Sequence, residues 1–187
     1  EGAISTRLGL PAIPETAETI AISKVLLLIE QTNVRAHFCR LSSGRSVELI
    51  REAKKNGAQI TADVPICNLH LTDMDIADYD SNCHLRPPLR DESDRVRLVE
   101  GLVDGTISAV CSNHQPVDAN AKSAPFSLTQ PGASTIEHML PLIMHIKKLG
   151  SELSLKESIS LVTSKPASIL GIEKGMLKEN GDADICI

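Results

Sequence analysis

The sequence predicts an α/β fold built on a parallel β-sheet. Short apolar segments with strand character alternate with amphipathic segments of helical spacing, and this βαβ succession is typical of parallel strands joined by right-handed crossovers. With 187 residues, 42% hydrophobic and 23% charged, the chain is long enough for one sizeable core. An open doubly wound sheet and part of a (β/α)8 barrel both fit this pattern. The sequence has neither GxGxxG nor a GKS or GKT loop, so the glycine-rich turn of nucleotide-binding sheets is missing.

Each helix is predicted from local signals. Good helix formers with apolar residues near helical spacing predict a helix from Pro14. The amphipathic stretch "SSGRSVELIREAKKNG" predicts a second helix that ends at Asn56-Gly57. A third helix, with Asp91 or Ser93 as its N-cap, is predicted over "DESDRVRLVEGLVDG". Two more are predicted over "STIEHMLPLIMHIKKLG" and "SLKESISLVTSKPASILG".

The predicted strands lie between these helices, in "NVRAHFC", "AQITADVPI" and "ISAVC". An irregular region follows the second strand, because the Pro87-Pro88 pair fits neither a helix nor a central strand. In a barrel the functional residues lie in the loops after the strands. We therefore expect the site in the loops that start at Cys39, Pro65 and Ser112.

Composition narrows the classes of function. A net charge of −5, from 19 basic and 24 acidic residues, gives no footprint for nucleic acid or an anionic membrane. The apolar run from Val25 to Ile29 is too short to span a bilayer, so we expect a cytoplasmic protein. The odd number of cysteines, with no CxxC pair, favours reduced thiols at Cys39, Cys67, Cys83, Cys111 and Cys186. The chain starts without methionine and ends in "GDADICI", which is typical of a strand just beginning, so we expect a piece of a longer protein.

The first loop offers an incomplete metal site. His37 and Cys39 alternate on a strand and so share a face, whereas Arg40 points the other way or begins the loop. A metal site needs two or three convergent His, Cys or carboxylate groups, and arginine has no lone pair to contribute. The residues alone favour a packed strand histidine at position 37.

The other two loops carry polar residues without a complete catalytic set. Cys67 and His70 have helical spacing, and Asp73 is typical of a helix cap. In the third loop Asn113 and His114 precede Asp118, and a neutral Asn is a poor substitute for a carboxylate that binds a cation or takes a proton. A cysteine hydrolase with His114 as base and Cys111 or Cys67 as nucleophile is the remaining catalytic option, although no local signature supports it.

Several phrases together resemble a known family. "LGLPAIPETAE", "HFCRLSSGRSVELIREAKKNGAQITADV", "LHLTD", "CHLRPPLRDESDRVRLVEGLVDGTISAVCSNHQP", "PFSLTQPGAS" and "GDADICI" are similar, in this order, to the second half of bacterial class I dihydroorotases of the amidohydrolase superfamily. The resemblance covers essentially all 187 residues. It implies a zinc-dependent (β/α)8 TIM barrel that closes carbamoyl aspartate to dihydroorotate and is flanked by a β-sandwich.

The resemblance also implies which part of the barrel is present. Residues 1–174 would supply strands six to eight with their helices, and residues 175–187 would start the return to the sandwich. The family's first-strand HxH pair, its bridging acid or carboxylated lysine and its fifth-strand histidine would lie upstream. The rest of the barrel is missing from this sequence.

The resemblance implies that key site residues are substituted. Arg40 stands at the position of a zinc-binding histidine, and Asn113 at that of the aspartate that binds metal and acts as general base. Arg86 and Val117 stand at the positions of a substrate-binding asparagine and histidine. Paired family histidines correspond to Cys67 and Asn68, and the kept substrate-contacting positions are Pro131 and Gly132.

These substitutions predict an inactive protein. A guanidinium places a fixed positive charge where a divalent cation should bind, so we expect no zinc at that site in this chain. Inactive relatives of this kind are structural partners of aspartate transcarbamoylase, and we expect this partner together with homo-oligomers. Two alternatives stay open: an active dihydroorotase with an altered metal site, and an anion-binding sensor in which Arg40 and Arg86 grip a phosphate or carboxylate.

Overall fold

The fold is known from a computed structural model that describes residues 2–185. Its strands are β1 (Ala36–Phe38), β2 (Ile60–Pro65) and β3 (Ala109–Cys111), which form a sheet in the order β1-β2-β3. Both pairings are parallel, with Phe38 opposite Ala62 and Asp63 opposite Ala109. The predicted parallel sheet is therefore confirmed for the described residues, with strands shorter than the predicted segments.

Helices precede and follow each strand along the chain. In residues 2–185 they are α1 (Ala3–Leu8), α2 (Glu15–Thr32), α3 (Gly44–Lys55), α4 (Ile66–His70), α5 (Glu92–Val103), α6 (Met139–His145), α7 (Leu155–Ser160) and α8 (Ser164–Leu170). The first three predicted helices correspond to α2, α3 and α5. No helix among these residues has the length and apolar character needed to cross a membrane.

The caps explain where the central helices begin and end. Ser43 Oγ accepts the backbone N–H of Ser46 to start α3, and Gly57 follows the C-cap with φ 91°. Asp91, rather than Ser93, caps α5 by accepting the backbone N–H of Asp94 at 3.0 Å. These are the signals that the sequence carries most plainly.

Several local predictions were wrong. The helix predicted over 154–171 is two helices, α7 and α8, and the helix predicted over 134–150 is α6 between two 3-10 turns. Asp73 is not a cap, because Thr72 caps the short 3-10 helix Asp73–Ile76. Residues 181–185 form no strand, and the remainder of the predicted strand, Cys186 and Ile187, lies outside the described residues.

The two faces of the sheet differ in chemistry. Ala62, Val64 and Val110 belong to the buried core that includes Val47 of α3 and Leu102 of α5. Because side chains alternate along a strand, the odd-numbered residues of β1 and β2 point to the opposite face. That face carries His37, Thr61 and Asp63, and Cys39 lies beside them just after β1.

Candidate functional site

The site lies where β1 and β3 end, and Arg40 and Asn113 meet there. Both residues have left-handed backbones, with φ 60° and φ 48°, which turn the chain sharply away from the strands. Arg40 Nη1 donates to Asn113 Oδ1 at 3.4 Å, and Asn113 Nδ2 donates to the carbonyl oxygen of Arg86 at 3.0 Å. The structure thus brings three of the predicted site residues together, with Arg86 contributing its backbone and an exposed side chain.

The other predicted substrate positions lie in adjoining loops. The backbone N–H of Gly132 donates to the carbonyl oxygen of His84 at 2.8 Å, after Pro131. Gly132 has φ 138°, and a Cβ there would collide with the carbonyl oxygen of Gln115, so only glycine fits. Gln115 in turn donates through its side chain to Asn113 Oδ1 at 3.1 Å, which connects this loop to the strand end. Val117 is half-buried further along the same loop as Gln115.

A second polar cluster lies next to the strand-end residues, on the face of the sheet formed by the odd-numbered residues of β1 and β2. His37 Nε2 is 2.9 Å from Asp63 Oδ2, and His37 Nδ1 is 2.7 Å from Thr61 Oγ1. Ligand atoms of His37, Cys39 and Asp63 all lie within 4.8 Å of one another. The backbone N–H of Arg40 donates to Asp63 Oδ1 at 2.7 Å and so joins this cluster to the strand ends.

Sequence reasoning identified His37 and Cys39 but missed Asp63. The signal was available: Asp63 is the one charged residue in the otherwise uncharged strand "ITADVP", two positions after Thr61, which the parallel register places opposite His37. Asp63 is only 8% exposed. A buried acid without a partner would be costly, and its contacts with His37 and the Arg40 N–H supply that partner.

The thiols near the site are poor nucleophiles. Burial raises the pKa of the Cys111 thiol, and the Asp63 charge and a hydrogen bond to Asp63 raise it further. Burial also raises the pKa of Cys67. His114 Nδ1 accepts the backbone N–H groups of Thr135 and Ile136 at 3.0 and 3.1 Å, so this nitrogen is committed to holding a loop. A cysteine hydrolase needs a thiolate and an imidazole that can take its proton, and these protonated thiols and the Nδ1 contacts of His114 do not support that alternative.

The remaining candidates make structural contacts. Cys67, Asn68 and His70 lie on α4, where Asn68 Nδ2 donates to the carbonyl oxygen of Pro88 at 3.0 Å. Burial lowers the pKa of His70, which favours a neutral ring. Asp118 caps the 3-10 helix Ala119–Lys122. None of these contacts brings a second ligand or base to the strand-end residues.

The donors at the strand ends do not fit a divalent cation. Arg40 offers only N–H groups with no lone pair, and Asn113 offers a neutral amide whose oxygen already accepts from Arg40 and Gln115. A permanent positive charge in contact with the one available oxygen opposes metal binding. No metal-dependent step can be derived from these two residues.

Comparison with solved structures defines the class of fold. The L-hydantoinase (dihydropyrimidinase) of Arthrobacter aurescens matches with a TM-score of 0.83 and 27% identity over 91% of this chain and 39% of its own. The dihydropyrimidinase of Brevibacillus agri matches with a TM-score of 0.83 and 22% identity, over the same shares of the two chains. The chain therefore has the fold of a part of these α/β enzymes, in agreement with an incomplete barrel.

Comparison with curated proteins is more specific. The chain is 43% identical to a dihydroorotase-like protein of Pseudomonas putida, 42% identical to one of Pseudomonas aeruginosa and 38% identical to a dihydroorotase of Bacillus subtilis. Each match covers 100% of this chain but only 44% of the relative, so the chain spans less than half of their length. No protein-family model matches. The chain is thus homologous to proteins named dihydroorotase-like and dihydroorotase.

Proposed function

We propose that this chain is part of a cytoplasmic dihydroorotase-like protein of pyrimidine biosynthesis that has lost dihydroorotase catalysis. The observation that carries the proposal is the contact between Arg40 Nη1 and Asn113 Oδ1 at 3.4 Å. In the resemblance to dihydroorotases these are the positions of a zinc-binding histidine and of the aspartate that serves as ligand and base. A guanidinium and an amide now occupy them and contact each other.

The chemical consequence is the loss of metal-assisted catalysis at this site. Zinc would supply an activated hydroxide and a polarised carbonyl, and each contributes several kcal/mol of transition-state stabilisation. Neither Arg40 nor Asn113 can take a proton from water near neutral pH. What this chain retains is the loop geometry, including the Gly132 N–H bond to the His84 carbonyl oxygen.

The barrel assignment supports the same proposal. The three parallel strands with their helices would be strands six to eight of a (β/α)8 barrel, with residues 1–174 in the barrel and 175–187 leading to a β-sandwich. The match to 39% of a hydantoinase chain agrees with a part of such a barrel. The functional form would be the full-length protein, in which the other strands complete the sheet.

A structural role with aspartate transcarbamoylase follows from this proposal. A protein that keeps its fold without its chemistry can still supply an assembly surface. We expect the full-length protein to copurify with aspartate transcarbamoylase and to form homo-oligomers. Transcarbamoylase that purifies with full activity and unchanged mass from cells lacking this protein would contradict the role.

The decisive experiment measures turnover of dihydroorotate and zinc content in the full-length protein. We expect no turnover, and turnover that depends on zinc would overturn the proposal. The double variant Arg40→His with Asn113→Asp should bind additional zinc if the scaffold is otherwise intact. Arg45→His, at an exposed position on α3, is the matched control and should bind none. An active wild-type protein would instead support the alternative of a dihydroorotase with an altered metal site.

An anion-binding sensor is the second candidate, and one observation favours it. Asn113 contacts the side chain of Arg40 and the backbone of Arg86, so two arginines with exposed side chains flank one strand end. Two guanidiniums can hold a carboxylate or phosphate. Under this candidate, carbamoyl aspartate or dihydroorotate raises the Tm of the wild-type protein but not of Arg40→Gln, since a ligand specific to the folded state is stabilising.

A further inference from the structure

The polar cluster below the strand ends has the composition of a metal site. His37 lies on β1, Cys39 follows the end of that strand, and Asp63 lies on β2. Their ligand atoms lie within 4.8 Å of one another. An imidazole nitrogen, a thiolate and a carboxylate form a mixed donor set that suits a borderline ion such as Zn²⁺.

Neighbouring groups orient two of these ligands. When Thr61 Oγ1 accepts from the His37 Nδ1–H at 2.7 Å, His37 Nε2 carries a free lone pair that points at Asp63 Oδ2, 2.9 Å away. The N–H of Arg40 holds the other oxygen, Asp63 Oδ1, at 2.7 Å. Hydrogen bonds of this kind fix the tautomer and direction of metal ligands in proteins.

We propose that His37 Nε2, Cys39 Sγ and Asp63 Oδ2 bind one Zn²⁺ ion, with water as the fourth ligand. This site is separate from the strand-end position that the substitutions at Arg40 and Asn113 remove, and it does not depend on the proposed loss of activity. Tetrahedral zinc bonds of about 2.0–2.3 Å place neighbouring ligand atoms about 3.3–3.6 Å apart. Small rotations of side chains would bring the cluster to that spacing, and Cys39 is exposed.

The local charges are compatible with this ion. The thiolate and carboxylate together carry two negative charges against the two positive charges of zinc. The Arg40 guanidinium is directed across the sheet toward Asn113 Oδ1, and only its backbone N–H contacts the cluster.

Cobalt titration of the full-length protein tests the site. Co²⁺ bound by a thiolate gives an intense sulfur-to-metal charge-transfer band, whereas an ion held by nitrogen and oxygen alone does not. We expect this band to saturate at one equivalent, and zinc to abolish it by displacement. Dihydroorotase turnover is not a readout here, so the outcome is independent of the test of the proposed function.

Variants locate the ion. Cys39→Ser should remove the band, Cys39→His should remove the band yet keep cobalt bound, and Thr61→Val should weaken binding about 10–100-fold through loss of ligand orientation. Cys83→Ser, at a buried cysteine outside this cluster, is the control and should keep the band. The proposal is overturned if wild-type protein gives no band, if the band survives Cys39→Ser, or if it requires Cys111 instead.

Discussion

Glu18 links helix α2 to the loop after β1, and its removal should be among the most destabilising single changes near the site. Its Oε1 accepts the backbone N–H groups of Ser42 at 3.0 Å and Ser43 at 3.2 Å, and the Ser42 hydroxyl donates to the other carboxylate oxygen. Arg90 Nη2 lies 3.6 Å from that oxygen, with side chains only 7% and 16% exposed for Arg90 and Glu18. Arg90 Nε donates to Ser42 Oγ at 2.9 Å and Nη1 to the carbonyl oxygen of Ile13 at 3.4 Å, but among the described residues Nη2 has no hydrogen bond and faces only the Glu18 charge.

These contacts determine how much stability the protein should lose when Glu18 is replaced. Glu18→Ala leaves a buried guanidinium without its carboxylate and two N–H groups without an acceptor, so the free energy of unfolding should fall by about 3–5 kcal/mol. Glu18→Gln keeps an acceptor oxygen but not the charge and should cost about 1–2 kcal/mol.

Urea unfolding of the full-length protein gives these differences, with hydrogen exchange at Ser42 and Ser43 as a local readout. The exposed Glu30 on the same helix is the control, and Glu30→Ala should change stability by less than about 0.5 kcal/mol. Equal effects at the two positions, or unchanged exchange at the loop, would refute the reasoning.

Three further outcomes are expected. Gly132→Ala should destabilise by about 1–3 kcal/mol, because its positive φ and a backbone oxygen leave no room for Cβ, whereas Gly150→Ala, in open space, should cost about 1 kcal/mol in the same urea series. Ile50→Ala, at a fully buried core position, should cost about 2–5 kcal/mol by urea unfolding. The Ser93 hydroxyl and a backbone N–H lower the pKa of Asp91. Its contribution to the free energy of unfolding is therefore complete above pH 3.8 and is lost as the pH falls below that value. Asp91→Asn should accordingly make the free energy of unfolding depend less on pH on the acid side.

The elements that the sequence predicts well are those with strong local signals. Helices α3 and α5 carry Ser43 and Asp91 as caps, and both helices begin there. The prediction of one helix over 154–171 fails because Pro166 has no backbone N–H, so in the middle of a continuous helix one backbone hydrogen bond would be missing. The chain instead starts α8 at Ser164, which places Pro166 in the first turn where that N–H is not needed. Helix α1 is six residues long, too short for periodicity to reveal it.

The site likewise has some residues that the sequence predicts and some that it does not. Arg40 and Asn113 could be identified from the sequence because each comes two residues after a strand ends. Their mutual contact could not, since it depends on left-handed backbone at both positions and on the order of the strands. Asp63 was missed because a single acid in a strand has no pattern of its own. Its role depends on the parallel pairing of β1 with β2, which brings it beside His37 and Cys39.

The attachment of Arg40 explains how its side chain can change while the fold is kept. Its backbone N–H, held by Asp63 Oδ1 at 2.7 Å, ties the strand end in place whatever side chain follows, and the Arg40 side chain itself is exposed. Arg40→His should therefore change the free energy of unfolding by less than about 0.5 kcal/mol. Asp63→Ala removes the acceptor for this N–H and for His37 and should cost about 1–3 kcal/mol, measured in the same urea series. If Arg40→His were the more damaging of the two, the side chain rather than the backbone would hold the strand end, and a histidine at this position could not be exchanged for arginine without repacking the sheet.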